Sequence, residues 1–319
     1  MIDVLRARKR IAPYVRRTPL VESVWLSDFT GAHVSLKLES LQVSNSFKSR
    51  GAFNAVIARL ERGDITTAST LVTASAGNHG RALAAAAEAF RLPLVVFTPS
   101  DAPQTKTTAI RRHGAQLRAQ GRDYDHAELL AKQFAADTGA AFVSPYNDPD
   151  VIAGAATIAL EILEDAPDAD TVIAPIGGGG LISGVAATVK NIDAARLVIG
   201  VELEVSNAFQ ASVRAGKLVE IVAGTSIAEG LGGNPDPETI TFGFVQRHVD
   251  RIVTVSESDL QAAVVGLVDA EHLIVEGSGA AGVAAVVGTR VDVRDRRVAI
   301  IVTGSNIDRA RLTALLGSG

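Results

Sequence analysis

The sequence predicts an α/β fold built on parallel sheet, and three observations carry that prediction. Short runs of β-branched and other apolar residues recur along the chain. Each is followed by a turn signal or an alanine-rich helical stretch. The runs are apolar almost throughout rather than alternating with polar residues. Strands apolar on both sides belong in a parallel sheet with helices on either face. The chain has 319 residues, of which 47% are apolar. That length gives one large or two medium domains, and the composition excludes global disorder. Aromatic residues are only 4% of the chain, so Ala, Val, Ile and Leu must fill the core.

The elements follow in order. The first segment, MIDVLRARKRIAPYVRR, is basic but lacks the apolar stretch of a secretory signal. Val4, Leu5, Ile11 and Val15 serve there as helix anchors. In SFKSRGAFNAV, Lys48 lies between Phe47 and a helical stretch rich in Ala and Val. STLVTAS reads as a strand leading into the helix GNHGRALAAAAEAF, and LPLVVFTP as a strand before a helix from about Ala102 to His113. TVIAPI leads through four glycines into the helix LISGVAATVK. RLVIGVE, RIVTVS and VAIIVTG are three further strands, while DAPDAD and GNPDPET are surface turns. Residues 171 to 189 carry no charge and are long enough to span a bilayer. Pro175 and the glycines break that run into strand, loop and helix instead.

Charge and composition exclude several function classes. Lys plus Arg is 31 and Asp plus Glu is 35, a net charge of −4, which argues against a general nucleic-acid binder. There is no cysteine, so disulfides, thiolate nucleophiles and Cys-ligated metal centres are excluded. The six histidines include no pair at metal-binding spacing. The expectation is a cytoplasmic protein that binds neither membrane nor nucleic acid.

Three segments carry candidate chemistry at places where parallel α/β proteins bind ligands. Gly177, Gly178, Gly179 and Gly180 follow a strand and open a helix. Residues without Cβ let the backbone approach an anion, and a helix start offers N–H groups to it. The spacing is neither GxxxxGK[ST] nor GxGxxG, so a phosphate is favoured over a nucleotide. A plain tight turn needs fewer glycines. Ser75, Asn78 and the N–H groups around Gly77 suit a carboxylate, but helix capping by Ser75 or Asn78 accounts for the same residues. His79 is equally a packed or a surface histidine. Lys48 is either an amine with a lowered pKa, ready to act as nucleophile or base, or a lysine snorkelling from an amphipathic helix.

Together, and in this order, these segments resemble the fold-type-II pyridoxal-phosphate enzymes, in the branch holding threonine/serine dehydratases and serine racemase. The resemblance runs from RRTPLVES near residue 20 to VTGSNID at 302 to 308. It implies a two-domain α/β fold like the tryptophan synthase β-subunit, with twisted, parallel-rich sheets flanked by helices. Residues 1–59 and 146–319 would form the large cofactor-binding domain and residues 60–145 a small mobile one, with the cofactor between them. Lys48 matches the lysine that bonds pyridoxal 5'-phosphate, and Asn78 the asparagine on its ring hydroxyl. Ser75, Gly77, Asn78 and His79 match the loop that cradles the substrate carboxylate. Gly177 to Gly180 match the phosphate loop, and Thr303 the hydroxyl residue facing the ring nitrogen. A neutral hydroxyl there leaves the ring a weaker electron sink than a carboxylate would, which favours prompt β-elimination. Lys48 would be covalent nucleophile and then general base.

The implied activity is that of a lyase. Water is eliminated from threonine, serine or a related β-hydroxy amino acid such as 3-hydroxyaspartate, and the product hydrolyses to a 2-oxo acid and ammonia. β-Replacement and racemisation are the alternatives within the class, and a non-enzymatic anion sensor is the alternative outside it. Departures from the family pattern bear on the choice. Ala76 stands where racemases carry a serine, and alanine cannot move a proton. Asn45 replaces a glycine, Tyr146 an asparagine and Ala155 a glutamine, which points to a substrate other than plain threonine. Relatives bind Mg or Ca through a glutamate matched by Glu202 and a carbonyl matched by Ala208, but Gln210 stands where a second carboxylate is usual. A homodimer is implied, and no appended regulatory domain.

Overall fold

The apolar runs fold into two separate sheets. The protein is described here by a computed structural model, which covers residues 1–317. From the start the chain forms α1 (Ile2–Ile11), β1 (Leu20–Glu22), α2 (Val24–Thr30), β2 (His33–Leu38), α3 (Lys48–Arg62), β3 (Leu71–Ala74), α4 (Asn78–Ala89) and β4 (Leu94–Pro99). There follow α5 (Gln104–Arg111), β5 (Gln116–Gly121), α6 (Tyr124–Thr138), β6 (Ala141–Phe142), α7 (Pro149–Asp165), β7 (Thr171–Pro175), α8 (Gly180–Ile192) and β8 (Leu197–Leu203). The remainder forms α9 (Ala208–Ala215), α10 (Thr241–His248), β9 (Arg251–Val255), α11 (Glu257–Asp269), α12 (Gly277–Val287), β10 (Arg297–Val302) and α13 (Arg309–Leu316). The uncharged run from 171 to 189 is β7, the glycine loop and most of α8. Among the described residues no helix is long and apolar enough to cross a membrane.

The chain divides into two compact units. One holds Arg16–Phe47 and the chain from Ala155 onward; the other holds Ile2–Val15 and Lys48–Gly154. The second is wider than the span 60–145 expected for a small domain. Helix α3 packs on α4, and side chains of α3 bond the stretch just before α7, so both join this unit.

The first unit is a six-stranded sheet in the order β1-β2-β10-β7-β8-β9. Every pairing is parallel except β1 with β2. One apolar layer joins this sheet to α2, α11 and α12, and a second lies among Ala155 to Leu163 of α7, α8 and Val245 of α10. Helices on both faces explain why β7, β8 and β10 are apolar on both sides. Lys37 breaks that rule in β2. It is fully buried, and its Nζ donates to Glu161 Oε2 and to Thr18 O, each at 2.6 Å. The partnership is what permits a charge there.

The second unit is a four-stranded parallel sheet in the order β5-β4-β3-β6. Helices α1, α3 and α4 cover one face and α6 the other. The alanines of α4 allow it to lie close to α3. Tyr14 stacks on Phe53 with ring centroids 5.3 Å apart. Strand β5 (QLRAQG) is mostly exposed, as an edge strand can be.

Candidate active site

In the second unit, Lys48 is the first residue of α3. Its Nζ donates to Pro145 O at 2.8 Å. The side chain is half-buried, and the surrounding protein lowers its pKa to about 8 by withholding water from the charged form. This is a lysine held inward, not one snorkelling to solvent. At neutral pH an appreciable fraction of the amine carries a lone pair, as a nucleophile or base requires.

The loop between β3 and α4 carries Ser75, Gly77, Asn78 and His79. Asn78 opens the helix, Gly77 is its N-cap, and no side chain caps it. Ser75 Oγ accepts from the N–H of Gly77 at 3.2 Å, within the loop itself. Ordinary capping by Ser75 or Asn78 is therefore not what the structure forms, and the helix start remains suited to an anion. His79 is 2% exposed, with Nε2 3.3 Å from Val143 O. Burial first, and the nearby Lys48 charge second, pull its pKa down to about 3, so the ring is neutral. Its side chain faces the protein interior. Only its backbone is placed for the expected carboxylate cradle.

In the first unit, Gly177 to Gly180 follow β7 and open α8. Gly179 is the N-cap, at φ +85°, and no side chain caps the helix. A Cβ on Gly179 would lie 2.7 Å from Phe209 Cζ and 2.8 Å from Thr241 Oγ1. A Cβ on Gly177 would lie 2.6 Å from Gly230 O. Gly179 needs glycine for both backbone conformation and space, and Gly177 for space. The loop is held by Thr241, whose Oγ1 donates to Gly178 O at 2.9 Å.

Thr303 follows β10, which pairs directly with β7. The helices that follow these two strands lie in different apolar layers: α8 packs with α7, while Leu312 and Leu315 of α13 join the layer that holds α11 and α12. This is a switch point, where the ends of parallel strands leave a crevice for ligands. Thr303 is 4% exposed, and its Oγ1 donates to Ser278 O across 3.4 Å, the long end of the hydrogen-bond range. Ser278 Oγ accepts from the N–H of Gly230, the residue whose carbonyl lies over Gly177. Ser278, Gly230 and Thr241 thus brace the expected phosphate loop and Thr303. No motif singled them out. Asn45, which replaces a glycine, has φ +58°, a left-handed conformation that asparagine tolerates.

Glu202, expected with Ala208 as a cation ligand, is engaged by the backbone, and Ala208 is the first residue of α9. Glu202 is 2% exposed; its Oε1 accepts from Phe209 N at 2.8 Å and its Oε2 from Gln210 N at 2.7 Å. It closes the start of α9. Gln210, standing where a second acid would be, donates through Nε2 to Ile252 O. Among the described residues no group of three His, Asp or Glu side chains is placed to hold a metal. The donor set does not fit a cation here.

Residues 11–304 match a family model described as "Pyridoxal-phosphate dependent enzyme". The chain is 40% identical over 317 residues to an L-threonine ammonia-lyase of Thermotoga maritima, covering 99% of this chain and 78% of that protein. Among solved structures, a threonine deaminase from T.th. has a TM-score of 0.87 at 35% identity, covering 97% of this chain and 98% of its own. Maize serine racemase has a TM-score of 0.91 at 31% identity, covering 99% and 96%.

Proposed function

The chain belongs to the family of pyridoxal-phosphate dependent enzymes, and from that premise we propose that it is a lyase removing water from a β-hydroxy amino acid. Threonine comes first, because the curated relatives at 34–40% identity are named for its ammonia-lyase or dehydratase activity. Serine and 3-hydroxyaspartate are the related substrates to compare. The single observation that carries the reading is Lys48, a largely desolvated amine at the start of α3 with a pKa near 8.

The residues fit the cofactor. Gly177 and Gly179 have no room for a Cβ, and no side chain caps the helix start they lead into, which leaves its backbone N–H groups for an anion. Thr303 offers a buried hydroxyl at a switch point, and Asn78 a carboxamide at a second helix start. When bound, pyridoxal phosphate supplies an electron sink that acidifies the substrate's Cα–H. The N–H groups of the glycine loop and the first turn of α8 would hold its phosphate. Thr303 would meet its ring nitrogen with a neutral group.

The chain's own side chains then do the following. The N–H groups at the start of α4 and the Ser75 hydroxyl bind the substrate carboxylate and fix which bond at Cα faces Lys48. The Lys48 amine takes the Cα proton. The β-hydroxyl departs with a proton as water. The enamine left behind takes up one water and yields the 2-oxo acid and ammonia. Ala76 has no group that can return a proton to Cα from the other face, which favours elimination over racemisation. A homodimer in the cytoplasm completes the proposal; a divalent cation is not part of it.

The purified protein should show a visible absorption band that borohydride fixes onto the peptide containing Lys48, located by mass spectrometry. It should release ammonia and a 2-oxo acid in equal amounts from one of the three amino acids. A protein that stays colourless with added pyridoxal phosphate would overturn the reading. D-Serine without ammonia would favour a racemase, and suppression of ammonia by an added thiol a β-replacement enzyme.

A further inference from the structure

The stretch from Phe142 to Asp148 is mostly without regular structure, yet it is pinned along its length. Arg59, on α3, brackets it: Nη1 donates to Phe142 O at 3.0 Å and Nη2 to Asp148 Oδ2 at 2.5 Å. Within the bracket, Val143 N donates to Val72 O at 2.9 Å. Val143 O accepts from Thr73 Oγ1 at 2.8 Å and faces His79 Nε2. Ser144 Oγ accepts from Asn147 N at 3.0 Å, and Asp148 Oδ1 from the first N–H groups of α7. Beyond it, Asn54 Nδ2 donates to Asp150 O at 2.7 Å, and a Cβ on Gly154 would lie 2.3 Å from Arg50 O. The same helix that begins with Lys48 therefore holds this stretch at several points. From within this stretch the carbonyl of buried Pro145 accepts from the Lys48 amine.

We propose that Arg59 and the stretch it brackets are a positioning device for Lys48: the Pro145 carbonyl receives the amine whenever it is not bonded to the cofactor, and the bracket fixes that carbonyl in place. A bare carbonyl orients an amine without adding an opposing charge, so the low pKa set by burial is kept. His79 serves the same end, because a neutral ring with its Nε2 proton at Val143 O adds no charge beside the lysine. A guanidinium is required at residue 59, since its planar fork reaches both ends of the stretch and an ammonium reaches one. The inference rests on the reading of Lys48 as the cofactor lysine.

The test is the reactivity of Lys48 itself. The full chain, freed of cofactor, is labelled across pH with an amine-reactive reagent, and the Lys48 peptide is quantified by mass spectrometry. In Arg59→Lys and Arg59→Met the loosened stretch admits water, and the labelling midpoint rises. A rise of one unit lowers labelling at pH 7.5 by about fivefold to tenfold. In the loaded enzyme the acidic limb of kcat moves in the same direction. Arg10→Met, which removes only the ion pair with Glu61, leaves the midpoint in place. If Arg59→Met fails to fold because Asp148 is left buried without its partner, Thr73→Val tests the same hold with a smaller shift. An unchanged midpoint in the folded variants would overturn the proposal, as would a wild-type midpoint in Arg59→Lys beside a shifted one in Arg59→Met, which would show that charge alone acts. Should borohydride fix the cofactor on another lysine, the proposed chemistry fails while the labelling still reports on the bracket.

Discussion

The start of α3 and the start of α8 are both places where a helix meets its candidate ligand, yet they are built of different material. At α3 the candidate group is a side chain, and its surroundings are a web of side-chain bonds from Arg59, Thr73, His79 and Asn54. At α8 the candidate group is backbone N–H, and the sequence contributes by leaving side chains out. The start of α9 supplies a third case. There the protein closes the helix itself, because both oxygens of the Glu202 carboxyl accept backbone N–H groups. No side chain does this at α8. A helix start closed by its own carboxylate is structural, and one left open by glycines is available to a ligand.

Three experiments bear on this comparison. Lys48→Ala removes the side-chain site outright. Turnover should fall on the order of 10³-fold or more, because covalent bonding and proton transfer are lost together. Ammonia release by the purified variant is the measurement, and normal activity would sink the mechanism.

Gly179→Ala attacks the backbone site. The left-handed conformation costs about 1–2 kcal/mol for a non-glycine residue. The new Cβ would also press on Phe209 and Thr241, 2.7 and 2.8 Å away. Cofactor affinity, read by titration of the visible band, should weaken by about tenfold, roughly the 1.4 kcal/mol that corresponds to one decade. Wild-type affinity would mean that the phosphate is held elsewhere.

The smallest effect belongs to the closed helix start. Burial pushes the Glu202 carboxyl up to about 7 from an ordinary 4.5, against the lowering effect of the Phe209 and Gln210 N–H groups. The folded chain thus binds this proton more tightly than the unfolded one. The stabilisation is fully present below pH 4.5 and is lost as pH rises through 7. It amounts to on the order of 3 kcal/mol. Unfolding free energies at pH 5 and pH 8 should differ less in Glu202→Gln than in the parent. An equal difference in both would show that Glu202 is ionised throughout.

The legible part of the fold is the part made by local pattern. β3, β4, β7, β8, β9 and β10 lie on the apolar runs, with α4, α5 and α8 behind them. β2 is not an apolar run, because Lys37 sits in it, neutralised by a glutamate 124 positions away. β5 is too polar to stand out, because one of its edges faces no neighbour. In the site, the motifs brought Lys48, Asn78, the four glycines and Thr303 into view. Their supports, Pro145, Arg59, Asp148, Ser278 and Thr241, carry no local signature, since each acts through a bond to a distant backbone group or side chain.

The sequence by itself determined the parallel α/β class, the strand–glycine–helix order of Gly177 to Gly180 and the order of the motifs that carry the family resemblance. These depend on residue type and on spacings of a few positions, which sequence displays directly. Only the tertiary structure decided that Lys48 is turned inward at Pro145, that His79 is a neutral buried ring and that the Glu202 carboxyl meets the first N–H groups of α9. Burial and hydrogen-bond partnership set a group's charge and reach, and both are properties of what the fold brings near, not of neighbours along the chain.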